Sequence, residues 1–407
     1  MHDFVFHNPT RVIFGRGAIM EIGRQTALLG QKVLLVHGRS SIHLHGIFPA
    51  VHGALDRAGL RVFIHGGVAP NPEIQQVREG IELARKEGTD VVVAVGGGSV
   101  MDTAKAIAAG VAVRHDPWLF FRGKKSIRSA LPIVCAPTIA GSGSETNSGM
   151  VMGNAATSQK IGIGNRRLFP KTAILDPDLT TTVPPAAAVF AAVDAISHLL
   201  EFYLHRQEDF TPLQDHYSEG LMRTLMENCQ GLLTDPADVH NRAGLLWAAS
   251  LALNGLSTAG LGRVGFPLHM IEHSLSALYD VPHGAGLAAI LPGAMAFEAR
   301  RAPGRYARFA AKVLDIAGAD EKRLAARGVH GFARWLHTVG APTCLADLSI
   351  PERDIPDIAA NTREQARLWR LDHYPPRVVE TMLRECLKQD WRQENRNIPP
   401  APRSESR

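Results

Sequence analysis

One stretch constrains the fold more than any other: VVVAVGGGSVMDTAKAIAAG, Val91 to Gly110. A run of β-branched residues ends in Gly96-Gly97-Gly98 and gives way at once to a helix-forming segment. An apolar run without polar alternation suits a strand buried on both faces, as in a parallel sheet covered by helices. Glycines lack a Cβ, so the backbone there can lie close to a ligand. The helix start behind them offers unpaired N–H groups and a positive dipole end, suited to a pyrophosphate. Ser99 adds a hydroxyl, and Asp102, in the first helical turn, is placed to hold a ribose or amide group. The pattern is neither GxGxxG nor GxxxxGK[ST]. On the local pattern alone, a tight turn with glycines for packing stays open.

Comparable runs recur at 11–15 (RVIFG), 32–38 (KVLLVHG), 61–67 (RVFIHGG), 90–98 (DVVVAVGGG), 131–137 (LPIVCAP) and 172–177 (TAILDP). Helix-period segments such as FPAVHGALDRAG and EIQQVREGIELARKEG lie between them. The alternation predicts an α/β domain built on a largely parallel sheet. Near Val183-Pro184-Pro185 the texture changes to long apolar-periodic stretches, among them AAAVFAAVDAISHLLEFYL and RYARFAAKVLDIAG, which predict an all-α second domain. The expected organisation is an α/β domain over 1–183, a helical domain over 184–391 and a mobile tail over 392–407 (RQENRNIPPAPRSESR).

Composition narrows the function classes. A chain of 407 residues, 45% hydrophobic and 20% charged, is long enough for two cores. We expect no apolar run able to cross a membrane, and MHDFVFHNPT lacks the basic and apolar regions of a signal peptide, so the expected location is the cytoplasm. Cys135, Cys229, Cys344 and Cys386 form no CxxC pair, which argues against a disulfide framework or a cysteine zinc site. The net charge of +5 is spread along the chain without a basic block. That argues against nucleic acid and suits an anionic small molecule.

The histidines carry the chemistry. VDAISHLLEFY places Asp194 and His198 four residues apart, on one helical face. LHMIEHSLSALYDVPHG, Leu268 to Gly284, adds His269, His273 and His283. An oxygen ligand with several imidazoles suits zinc or ferrous iron. HMIEH also fits the H-x-x-E-H pattern of some zinc proteases, with Glu272 activating water, but that reading leaves Asp194, His198 and the glycine-rich half unused. Spacing alone favours His269 and His273 as the ligand pair.

The series FHNPTRVIFGRGA, GGGSVMDTAK, GSGSETN, LDPDLT, VDAISHLLE and HMIEHSLSALYDVPHG resembles the iron-containing (group III) alcohol dehydrogenases, above all their NADP-dependent aldehyde reductase and butanol dehydrogenase branch. The similarity covers nearly the whole chain. It implies a dehydroquinate synthase-like architecture, with an α/β dinucleotide-binding domain facing a helical metal-binding domain. By position it assigns Asp194, His198, His269 and His283 to one Fe2+ or Zn2+ ion, and places His273 beside the substrate as the catalytic residue. It makes Gly97, Gly98 and Ser99 the pyrophosphate turn with Asp102 alongside, and adds Asn71, Thr138, Ser142, Asn147 and Lys160 as cofactor contacts.

The strand KVLLV is followed by His37-Gly38-Arg39-Ser40-Ser41 with no carboxylate to bond a ribose 2′-hydroxyl. Arg39 and Ser40 suit a 2′-phosphate, so NADP is expected, with NAD the alternative. The implied reaction is hydride transfer between the nicotinamide and an aldehyde or primary alcohol. Ribose hydroxyls or His273, by its ordinary pKa, would move the proton. Pocket residues are expected from 115–125 and 255–266: Trp118, Phe120 and Phe121 as an apolar wall unless they are core, and Arg263 as a selector of acidic aldehydes. The expected assembly is a homodimer or higher homo-oligomer through the N-terminal strand edge, without nucleic acid or membrane. Rivals on the same fold are polyol-phosphate dehydrogenases or dehydroquinate synthase-type enzymes, which need more basic residues, and maleylacetate reductases, which are not built around the full ligand set. A non-catalytic sensor is the rival from another class.

Overall fold

The computed structural model describes residues 1–44, 46–206 and 210–387; the tail expected at 392–407 lies outside the described residues. Among the described residues eight strands form: β1 (Arg11–Phe14), β2 (Lys32–Gly38), β3 (Arg61–Val68), β4 (Val91–Gly96), β5 (Ile133–Pro137), β6 (Gly149–Asn154), β7 (Gln159–Gly164) and β8 (Thr172–Leu175). Six of them make one sheet in the order β1-β8-β5-β4-β2-β3, with every neighbouring pair parallel. These are the six apolar runs of the sequence.

Successive side chains along a strand face opposite ways, and the helices cover both faces. Helices Ile22–Ala27 and Ile47–Arg57 pack against Val33, Leu35, Val93 and Val95. Helices Ile74–Glu87 and Gly98–Gly110 pack against Leu34, Val36, Val92 and Ala94. The chain leaves β2 toward β3 on one side and β4 toward β5 on the other. Such a divergence opens a crevice at the carboxyl ends of the two strands, where ligands of open α/β sheets bind. The His37–Ser41 and Gly96–Gly98 turns both lie there.

The antiparallel hairpin β6–β7 was not anticipated. It bridges the two halves. The Asp102 carboxylate accepts the N–H of Val151 in β6 at 2.8 Å, and a Cβ on Gly162 in β7 would lie 3.3 Å from the His273 ring.

From Pro185 onward the described residues form helices, beginning with Pro185–Leu204 and Pro212–Thr234. Pro185–Leu204 corrects one expectation: with mean hydropathy 1.5 it is long and apolar enough to cross a membrane. Within this structure 83% of that window is buried against other helices, because it is the central strut of the second core. Helix Pro267–Tyr279 ends at Asp280, which adopts a left-handed conformation, and helix His283–Ala299 starts after Val281-Pro282. Its second residue, Gly284, lies directly against the Phe190 carbonyl of the central helix; a Cβ there would be 2.1 Å from that oxygen. This close approach is what brings His283 to the central helix.

Gly284→Ala should therefore cost about 1–3 kcal/mol through overpacking. Gly220→Ala, in the exposed middle of Pro212–Thr234 with no heavy atom near the added Cβ, should stabilise by up to about 1 kcal/mol. Denaturant unfolding of both variants checks the contrast.

Candidate metal and cofactor site

Asp194 and His198 project from the central helix, His269 and His273 from Pro267–Tyr279, and His283 from the start of the next helix. Three imidazole Nε2 atoms converge on one carboxylate oxygen: His198, His269 and His283 lie 3.6, 3.6 and 3.5 Å from Asp194 Oδ1. An ion about 2.1 Å from each of four tetrahedral ligands spaces them about 3.4 Å apart. Asp194 Oδ1 and His269 Nε2 are buried with no hydrogen-bond partner among the described residues, a costly state for polar atoms without a ligand to satisfy them. The His198 and His269 rings stack at 4.5 Å. These four residues fit a divalent cation.

Two buried carboxylates aim the rings. Glu201 Oε1 lies 2.6 Å from His269 Nδ1 and accepts the His269 N–H at 2.8 Å; Glu201 Oε2 accepts the Leu268 N–H at 3.1 Å. Glu272 pairs with His283 Nδ1 and accepts the Ser276 hydroxyl. With Nδ1 so engaged, each ring presents Nε2 to the ion, the usual arrangement around metal-bound histidines. Glu272 is thus tied into the scaffold and is not placed to activate water, against the H-x-x-E-H reading.

Burial pushes the His198 pKa down to about 3 and leaves its lone pair free. Burial also opposes the charged forms of Asp194 and His269, but attraction outweighs it in both. The imidazoles hold Asp194 well below the carboxylate range, and Asp194 and Glu201 raise His269 to about 9.

His273 is close to this group yet differently held. Its Nδ1 lies 3.4 Å from Gln365 Oε1, and its ring is 5.7 Å from that of His283 and 5.6 Å from that of Trp369. Burial, and then the Lys160 cation, drive its pKa well below the ordinary histidine value. This corrects the expectation that an ordinary pKa suits it to shuttle protons near neutrality: it is a neutral ring.

The expected cofactor residues gather on the crevice side. A Cβ on Gly98 would lie 2.6 Å from Ser142 Oγ, so the glycine turn and the Ser142–Asn147 loop touch, and glycine is required by packing as well as by ligand access. Thr138 follows β5, its N–H bonded to the Gly96 carbonyl. Several of these side chains are already engaged. The Ser99 hydroxyl donates to the Pro70 carbonyl, and Asp102 accepts from Ser144 Oγ at 2.7 Å and from Val151. The Asn147 amide bonds the Ser142 carbonyl and the Gly149 N–H. Asn71 Nδ2 donates to Asp280 Oδ1 at 2.7 Å across the two halves, and its Oδ1 accepts from Lys160 Nζ, which is 3.7 Å from Glu272. Arg39 and Ser40 are exposed at the end of β2.

Residues not singled out in the sequence complete the site. Lys105, fully buried, donates to Ser144 Oγ and to the carbonyls of Asn147 and Gly149 at 2.8, 3.0 and 2.7 Å, clamping the loop over the glycine turn. Phe266 lies 5.5 Å from the His269 ring and 5.7 Å from Trp369. These rings, and not Trp118, Phe120 and Phe121, flank the metal site; the latter three are core residues of the α/β half. Arg263 bonds the Arg370 carbonyl at 2.6 Å.

Comparison with known proteins agrees with this geometry. Residues 9–177 match the family described as iron-containing alcohol dehydrogenase, and residues 188–376 match the C-terminal part of the same family. A probable NADH-dependent butanol dehydrogenase of Bacillus subtilis is 38% identical over 88% of this chain and 93% of its own length. The NADPH-dependent aldehyde reductase YqhD of Escherichia coli is 33% identical over 89% and 94%. The crystal structure of an NADH-dependent butanol dehydrogenase A from Thermotoga maritima superposes with a TM-score of 0.92 at 39% identity, covering 95% of this chain and 99% of that one. With its Asp-His cluster beside a dinucleotide crevice, the chain belongs to the iron-containing alcohol dehydrogenase family and is a metal- and nicotinamide-dependent oxidoreductase of alcohols and aldehydes.

Proposed function

We propose that this protein reduces unbranched, apolar aldehydes with NADPH, using one Fe2+ or Zn2+ ion held by Asp194, His198, His269 and His283. The observation that carries the reading is the convergence of three Nε2 atoms on Asp194 Oδ1. Bound there, the cation supplies Lewis-acid polarisation of the aldehyde oxygen and the nicotinamide supplies the hydride. The chain's own residues prepare that step. Glu201 and Glu272 fix the ring orientation of His269 and His283. The Lys105 clamp and the Gly98–Ser142 contact shape the cofactor turn. With Nδ1 facing the Gln365 oxygen, the neutral His273 offers Nε2 as an acceptor that orients a substrate or ribose hydroxyl, and proton delivery falls to the ribose hydroxyls.

Phe266 and Trp369 beside the metal ligands support an apolar substrate and weigh against a phosphate-bearing one. The butanol dehydrogenases and aldehyde reductase among the relatives point the same way. For the nicotinamide the support is Arg39 and Ser40 at the crevice; relatives named for NADH and for NADPH both occur. We place the division between the halves at residues 183 and 184, supported by the end of β8 at Leu175 and the helix start at Pro185. Exposed Phe4, Val5, Phe6 and Phe14 along the N-terminal edge support a homo-oligomer. Buried thiols at Cys135, Cys229 and Cys386 suit the reducing cytoplasm.

His269→Ala should lose metal and activity together. His273→Ala should keep its metal while turnover falls about 10²-fold through lost orientation of the reacting groups. Metal content by mass spectrometry beside NADPH oxidation checks both, and a metal-free His273→Ala protein would contradict the ligand set. Arg39→Ala should raise the KM for NADPH about tenfold, the loss of one charge-assisted contact, and leave that for NADH unchanged; steady-state kinetics decides.

Metal binding should also depend on pH. Without metal, attraction to Asp194 and Glu201 outweighs burial and raises His269 to about 9, and the neighbouring carboxylates raise His283 in the same direction, so both rings hold protons more firmly than a free imidazole. The ion must displace those protons, so affinity climbs as pH rises toward about 9 and falls below it. Calorimetric titration at pH 7 in buffers of different ionisation heat should show proton release on zinc binding; no release contradicts this.

A further inference from the structure

Helix Arg363–Trp369 belongs to the helical half but is tied to the β6–β7 hairpin of the other half. Gln365 accepts the Gly162 N–H at 2.9 Å, and Glu364 accepts from Gln159 at 2.7 Å and from Arg122. At the end of this helix the Trp369 indole N–H donates to the Gly162 carbonyl at 2.9 Å, and Arg370, in a left-handed conformation, stops the helix there. Arg263 donates to the Arg370 carbonyl at 2.6 Å, which draws the segment carrying Phe266 to the same place. Phe266 and Trp369 meet at 5.7 Å between ring centroids, in contact, so that nothing passes between them. Phe266 stands edge-on to His269 at 5.5 Å, and Trp369 edge-on to His273 at 5.6 Å. Both aromatic rings are half-buried, whereas the two histidines behind them are buried. The pair is thus one apolar wall between the ligand group and solvent. Phe266 also packs on Phe202 at 5.0 Å and leads directly into the ligand helix, while Trp369 lies on an element that carries no ligand.

We propose that Trp369 is a specificity-determining residue: held at Gly162, its indole closes the substrate pocket beside His273 and restricts the aldehyde to a slender carbon chain. An aldehyde whose carbonyl lies beside His269 and His273 lays its carbon chain against this wall. A branch or ring next to the carbonyl needs the space that the indole fills. The bond to Gly162 keeps the indole from swinging aside, and the backbone behind it cannot give, since even a Cβ on Gly162 would lie 2.9 Å from the indole. An apolar void on the order of 150 Å3 holds a benzene ring, and deleting an indole opens one of about that size. Differences of a methylene or so in such a pocket are worth about 10–200-fold in specificity. The inference rests on the proposed reduction of apolar aldehydes.

The test is the ratio of kcat/KM for benzaldehyde to that for butanal, measured on the full chain with metal and NADPH. General damage to the site lowers both constants and cancels in the ratio. Trp369→Ala and Trp369→Leu should each raise the ratio about tenfold or more over wild type, and Trp369→Phe, which keeps a ring, should raise it less. Benzamide and butyramide serve as unreactive mimics of the two aldehydes. Their calorimetric binding to the zinc- and NADPH-loaded proteins should shift in the same direction, which separates pocket size from turnover. A ratio unchanged in both the alanine and leucine variants overturns the proposal, as does a wild-type protein that already reduces the two aldehydes alike. A metal-loaded wild type that reduces neither aldehyde with either nicotinamide refutes the underlying reading itself, which is a separate result.

Discussion

The arrangement depends on one buried carboxylate oxygen. Asp194 Oδ1 has no hydrogen-bond partner among the described residues and faces three imidazole nitrogens at nearly equal distance. A buried anion in such a setting is tolerable only when a cation satisfies it, whether protons on the histidines or a metal. Raised pKa values at His269 and His283 show the proton-bound alternative. The metal competes with those protons for the same lone pairs.

Much of the fold serves to bring these atoms together. Gly284 lets two helices touch so that His283 reaches Asp194, and the left-handed Asp280 turns the chain between His273 and His283. A Cβ on Gly141, in the loop that flanks the glycine turn, would lie 3.3 Å from Asp194 Oδ2. The loop beside the glycine turn is therefore packed against Asp194. Lys105 is the counterpart on the cofactor side. Burial depresses its pKa, and burial likewise raises Asp102 and Glu145 beside it. Such a buried ionic group is weak support for stability. Its value here is that it fixes the loop from Ser144 to Gly149.

The parallel sheet was legible because β-branched runs such as KVLLV and VVVAV match strands buried on both faces. The β6–β7 hairpin was not, since its apolar residues lie in short segments flanked or interrupted by glycine, Gly149 to Gly153 and Ile161 to Gly164, that resemble loop. Asp194 and His198 could be paired by helical spacing. The grouping of His283 with Asp194, His198 and His269 could not: it follows from the Asp280 turn and the Gly284 contact, neither of which periodicity encodes. Glu201 and Lys105 read as ordinary helix charges, although the spacing of Asp194, His198, Glu201 and His205 on an apolar helix was a signal available to find the first. The ordinary pKa expected of His273 does not hold, because its pKa depends on burial and on Lys160, both set by tertiary contacts.

The most direct test of the central claim is a crystal structure of the protein reconstituted with zinc, with the ion located by its anomalous scattering. The account predicts one ion per chain bound by Asp194, His198, His269 and His283, with His273 outside its coordination sphere. An ion bound instead by the neighbouring group of Glu272, His273 and His283, or by His269 and His273 together, would contradict it.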